Sequence, residues 1–201
     1  ILTLKPDLVL VWQSGNGGQI ADRLRQLGLP VFVIEPRRLK DIPGLFARLG
    51  QLTGHHKEAE QQIARFNRAI GDLRRRYGAA SPVTVFYQIW NEPLITLNGK
   101  HLVSDVINLC GGRNVFADAP ALVPYISVES VVRANPQVIV ASGSSPDRPE
   151  WLDMWQAWPS ISAVKHNRVH HIPPDLLQRH SLRIVEGARQ LCGYLQQARE
   201  G

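Results

Sequence analysis

No stretch of this chain approaches the run of ~18–20 apolar residues needed to cross a membrane as a helix. Cysteine is scarce: Cys110 and Cys192 are the only two, with neither the CxxC spacing of a metal site nor a redox motif. They leave two readings open, a pair of buried thiols in a reducing compartment or one disulfide in an exported protein. Clustered positive charge is also missing. The net charge is +6, yet Arg74-Arg75-Arg76 is the only basic run, and it falls inside an amphipathic pattern. A nucleic-acid footprint needs a basic face interleaved with aromatics, so the run reads as a solvated helix face. No G-x-S-x-G elbow surrounds Ser142-Gly143-Ser144-Ser145, and no base stands near it. No secretory signal is visible and the chain opens at Ile1; a processed or trimmed form is expected, its targeting segment or lipid anchor out of view.

What is present is ordinary for a globular protein: 201 residues, 44% apolar and 20% charged. Within it one pattern occurs twice. Leu4-Lys5-Pro6-Asp7-Leu8-Val9-Leu10-Val11-Trp12 and Ala134-Asn135-Pro136-Gln137-Val138-Ile139-Val140-Ala141 each read as a helix end, a proline stop and an apolar strand opening into a polar loop. The two prolines lie 130 residues apart, too far for a solenoid repeat and suited to two structural halves enclosing a ligand cleft.

Strands are expected at Asp7–Trp12, Val31–Ile34, Val83–Gln88, Val138–Ala141 and Arg168–Ile172. Helices are expected at Gln19–Leu27 (closed by Gly28), Ile42–Leu52, Leu102–Leu109, from Ser127 as N-cap, at Trp151–Trp158 and at Ser181–Ala198. From Lys57 to Tyr77 apolar residues recur every three or four positions, which predicts one helix about 30 Å long. The alternation specifies an α/β fold: two lobes with mainly parallel sheets flanked by helices. Their limits are 1–54, a bridging helix at 55–80 acting as a rigid strut, and 81–201. Two short strands do not make a stable layer, so the first lobe is expected to be incomplete, with upstream residues supplying the rest of its sheet.

Three chemistries compete for the loops. Gly15-Asn16-Gly17-Gly18 followed by Glu35 at the end of the second strand partly matches a dinucleotide fingerprint, but Ile20 stands where the third glycine belongs. Paired histidines, His55-His56 and His170-His171, are poor chelates, since neighbours on a strand point to opposite faces; no metal site is expected. Large aromatic and polar residues, by contrast, recur at strand ends: Trp12, Trp90, Tyr125, and then Asp175 with Arg179. Ligands of open α/β sheets bind outside these carboxyl ends. Indole and phenol rings there offer flat contact area, and a carboxylate and a guanidinium orient polar groups.

The stretch Phe86-Tyr87-Gln88-Ile89-Trp90-Asn91-Glu92-Pro93-Leu94-Ile95-Thr96, with Leu109-Cys110-Gly111-Gly112-Arg113-Asn114-Val115-Phe116 and the two repeated strands, resembles the periplasmic cobalamin-binding proteins of bacterial ABC importers. The likeness covers essentially the whole chain. It implies a non-catalytic, periplasmic, monomeric solute-binding protein, with cobalamin or another corrinoid as transported ligand rather than cofactor. It implies a Cys110–Cys192 disulfide, ligand contacts from Trp12, Trp90, Tyr125, Asp175 and Arg179, and docking of Glu129 on the permease of the permease–ATPase complex. Tyr125 stands where a relative can carry tryptophan. Relatives extend further at the amino terminus, where the second docking glutamate lies; the position seven residues before Pro6, matching Glu129 before Pro136, falls ahead of Ile1. Rival ligands within the class are haem, which needs an axial His or Tyr, and a ferric siderophore, which needs clustered arginines where only Arg179 is a candidate. The rival outside it is a nucleotide-dependent α/β enzyme.

Overall fold

A computed structural model describes residues 1–13 and 18–201. The glycine-rich turn expected at Gly15–Gly18 lies outside these, apart from Gly18, which belongs to the first helix. The chain divides into two compact units, Ile1–Arg37 and Arg38–Gly201.

In the first unit, β1 (Val9–Trp12) and β2 (Val31–Ile34) pair in parallel, Val9 opposite Val31 and Trp12 opposite Ile34. The crossover between them carries α1 (Gly18–Gln26), which buries Ala21 and Leu24 against Val11. Gly28, at φ 78°, ends this connection with its amide bonded to the Arg25 carbonyl, as a glycine free of Cβ strain allows. Leu4, Leu10 and Ile20 on this unit are exposed.

The second unit begins with α2 (Asp41–Thr53) and α3 (His56–Tyr77). The latter is one uninterrupted helix of 22 residues, about 33 Å long. It buries Phe66, Ile70, Leu73 and Tyr77, while Arg74, Arg75 and Arg76 all face solvent, as expected of a solvated face. Then follow β3 (Val83–Gln88), β4 (Trp90–Asn91), β5 (Leu94–Ile95), α4 (Leu102–Leu109), β6 (Gly112–Asn114), α5 (Val128–Ala134), β7 (Val138–Ala141), a 3-10 segment (Glu150–Ala157), α6 (Ser162–Lys165), β8 (Val169–His171), α7 (Pro174–Leu177) and α8 (Ile184–Glu200). The main sheet is four-stranded, in the order β6-β3-β7-β8, and wholly parallel.

Both faces of that sheet are covered, which explains its nearly unbroken apolar strands. Val83, Val85 and Tyr87 of β3 and Val138 and Val140 of β7 join the core built with α3, α4 and α8. The intervening Phe86, Ile139 and Ala141 join a second core with Val131, Leu152, Trp155 and Ile161 on the opposite face. The period-two alternation of a strand thus divides the core in two.

The disulfide is formed: Cys110, which caps α4, bonds Cys192 of α8, with Cα atoms 4.7 Å apart. Glycines let these elements approach closely. A Cβ on Gly187 of α8 would come 2.6 Å from the Leu176 carbonyl oxygen, too close to be tolerated.

The repeated motif is matched in backbone geometry. Lys5 closes a 3-10 turn at φ 43°, ψ 56°, and Asn135 closes α5 at φ 43°, ψ 62°; both are left-handed caps one residue before a proline. Some expectations are corrected. The Trp151–Trp158 helix is a 3-10 segment starting at Glu150, and the last helix starts at Ile184 because Ser181–Arg183 form a turn before it. Strands β4, β5 and β6 escaped periodicity because two or three residues contain too little of it; main-chain pairing defines them.

Candidate ligand site at the strand ends

The loops leaving the carboxyl ends of β3, β7 and β8 rest on a buried polar platform. Ser142, just past β7, donates its amide to the Gln88 carbonyl at 3.2 Å, tying two strand ends together. The Tyr87 hydroxyl meets Ser142 Oγ at 2.5 Å. Burial pushes the Tyr87 phenol up to about 12, against the opposing pull of Ser142 and Gln178, so it stays protonated. His171 Nε2 lies 3.0 Å from the Ser142 carbonyl, whereas His170 on the opposite face stacks on Tyr194, ring centroids 4.0 Å apart. The adjacent histidines point apart, as strand geometry requires.

Gln88 is fully buried and links three elements. Its Oε1 accepts the Trp155 indole N–H at 2.7 Å, and its Nε2 donates to the Trp90 carbonyl at 3.4 Å. The Trp90 indole is itself turned back on its loop, donating to the Glu92 carbonyl at 3.0 Å. Trp90 pairs with Ile95 in the antiparallel β4–β5 hairpin, and Ile95 bridges antiparallel to Tyr125. Directly opposed residues of antiparallel strands project to one face, so Trp90, Ile95 and Tyr125 form a row. Trp90 is 37% exposed and Tyr125 72%, and both therefore present ring surface to solvent.

Asp175 lies in the first turn of α7, shortly after β8, and Arg179 follows one turn later. They pair with each other, Nε to Oδ1 at 2.8 Å. An exposed i,i+4 pair stabilises by well under 1 kcal/mol, so both groups are available to other partners at little cost. Trp12, 40% exposed, ends β1 in the first unit. Glu129 is exposed in the first turn of α5. Hydrogen bonds from its own backbone N–H and from Ser127 lower its carboxyl pKa, keeping it anionic. Ser127 caps that helix, accepting from the Ser130 amide at 3.3 Å.

The structure therefore gathers Trp90 and Tyr125 on one row and Asp175 with Arg179 on one turn. It also adds Trp151, which sequence reasoning had absorbed into a helix. Its indole meets Trp90 at 6.4 Å between centroids and 61° between planes. The signal available beforehand was its place in the connection after the Val138–Ala141 strand, the kind of strand-end position that selected Trp90 after Val83–Gln88.

The sheet, parallel and covered on both faces, defines the class as α/β, and the chain belongs to the periplasmic binding protein family, whose profile matches residues 1–176. The particular likeness is to vitamin B12-binding proteins. The chain is 34% identical over 201 residues to the one from Vibrio cholerae, covering all of this chain and 72% of that protein. It is 36% identical over 192 residues to that of Yersinia pestis, covering 96% of this chain and 66% of the relative. The crystal structure of the periplasmic vitamin B12 binding protein BtuF of Vibrio cholerae matches with a TM-score of 0.89 and 33% identity, over 100% of this chain and 78% of that one.

Proposed function

We propose that this chain is a non-catalytic solute-binding protein that captures cobalamin or a related corrinoid in the periplasm and delivers it to an ABC importer. The observation that carries this reading is the 34% identity to a vitamin B12-binding protein along the whole length of the chain. The strand-end chemistry supports it. A corrin is large, with an apolar rim fringed by amides; Trp12, Trp90 and Tyr125 suit the rim, and Asp175 and Arg179 suit the amides. A single arginine fits poorly with a polyanionic siderophore. In this reading α3 bridges lobes at residues 1–54 and 81–201, and the protein acts as a monomer.

Isothermal calorimetry on the full chain with cyanocobalamin, haemin and a ferric siderophore separates the candidates. Saturable heat with cyanocobalamin alone is expected; haemin binding without a corrinoid signal would overturn the assignment.

Glu129 is the proposed contact with the membrane permease, an exposed anion held at a helix start. Charged contacts of this kind mainly orient a complex and are sensitive to salt. Glu129→Lys is expected to leave corrinoid affinity unchanged while transport in reconstituted vesicles falls at least tenfold, since a like charge then faces a basic partner. A parallel loss of ligand affinity would contradict the docking role.

A further inference from the structure

The winding of the main sheet reverses at one place. From β3 the chain passes to β6 on one side, then returns across β3 to β7 and onward to β8. At such a reversal the two connections leave in opposite directions, and a crevice opens outside the carboxyl ends of the adjacent strands, here β3 and β7. The loop leaving β3 places Trp90 two residues beyond Gln88. The loop leaving β7 turns at Gly143, at φ 66°, where a Cβ would lie 3.4 Å from Cζ2 of Trp151. The two indoles therefore meet across neighbouring strand ends, at the reversal itself.

Their exposure distinguishes them from core packing. Trp155, four residues on, is fully buried and its N–H is bonded to Gln88; it is structural. Trp151 is half-buried. Rings 6.4 Å apart and inclined at 61° meet edge-on rather than in a stack, and the partial exposure of both leaves ring surface open beside that corner. Such a corner receives a flat group with its face on one indole and its edge against the other, an arrangement the aromatic quadrupole favours. Trp90 is held rigidly, its carbonyl by Gln88 and its N–H by Glu92, so little order is lost on binding.

The geometry points to Trp151 as a further ligand-contacting, specificity-determining residue, forming with Trp90 an aromatic corner at the β3/β7 crevice that grips a flat apolar group of the ligand. This rests on the corrinoid reading above. A corrinoid offers two such groups, the corrin rim and the heteroaromatic base of its nucleotide arm.

The test is calorimetric titration of the full chain, W151A and W151F with cyanocobalamin and with dicyanocobinamide, which lacks the nucleotide arm. Circular-dichroism melts of each variant report folding. W151A is expected to weaken cyanocobalamin binding tenfold or more, and W151F, which keeps a flat ring, to stay within about threefold of wild type. Loss confined to cyanocobalamin assigns the corner to the base; equal loss for both ligands assigns it to the corrin rim. Unchanged W151A affinity overturns the inference, and so does a W151F variant as weak as W151A, which marks indole packing instead. If wild type binds no corrinoid at all, the functional reading fails and this inference fails with it. Wild-type binding with an indifferent W151A removes this inference alone.

Discussion

Replacing Cys110 and Cys192 together by alanine is expected to lower the unfolding free energy by about 4–5 kcal/mol, the loop-closure entropy of a long cross-link. The bridged residues are 82 positions apart, so the bond removes a large share of the unfolded chain's freedom. Both cysteines are fully buried, and the bridge fastens the end of α4 to the middle of α8, the two helices that cover one face of the main sheet. Urea unfolding followed by circular dichroism measures the loss, with a dithiothreitol-reduced wild type as second arm. A drop below about 1 kcal/mol in both arms would show that the reduced chain is already constrained in the unfolded state. Thiol titration of the unfolded, unreduced protein should find no reactive sulfur.

Acidification should cost nearly as much. His101 caps α4, its Nδ1 accepting the Val103 amide at 3.2 Å, and it therefore needs a neutral ring. Burial, and then the neighbouring charge of His180, bring its pKa from 6.5 down to about 4. A group whose folded pKa is depressed in this direction binds its proton first in the unfolded chain. Above pH 6.5 both states are neutral there and stability is unaffected. As pH falls through the window from 6.5 to 4 the unfolded state gains protons that the folded state refuses, and stability declines by about 3 kcal/mol. Carboxylates titrate at the lower end of the same window, so the informative quantity is the difference between wild type and His101→Asn. Asparagine is a good helix cap without a titrating ring. The variant should match wild type above pH 7 and exceed it by about 2–3 kcal/mol near pH 4. Superimposable stability profiles would show that His101 does not carry the acid response.

The part of the fold legible in the sequence is the part that repeats over several residues. The helix ending at Tyr77 carries its apolar stripe over five turns, so its existence and limits follow from spacing alone. Val138–Ala141 is uniformly apolar because both faces of its sheet are covered, and such a run marks a central parallel strand. Local caps were legible for the same reason: Ser127 and Gly28 act on backbone groups within a few residues. Trp90, Tyr125, Asp175 and Arg179 were selectable as candidates because they follow strands, the side of an open α/β sheet on which ligands bind.

Other features depend on partners distant in the chain. Strand β6 is three residues long and exists because β3 lies alongside. The His101 ring is neutral because folding brings His180 and buried surface around it, which no spacing reveals. The Cys110–Cys192 bond, between the alternatives that composition left open, forms because α4 and α8 pack on the same sheet face. Trp151 was read as a helix residue, and its meeting with Trp90 is set by a reversal in strand order that no linear pattern encodes. The sequence by itself determined which of the longer segments become helix or strand, because those preferences are satisfied within a turn or a pleat. The tertiary structure alone decided which strand ends adjoin and which rings face solvent, because burial and pairing are properties of neighbours that only folding supplies.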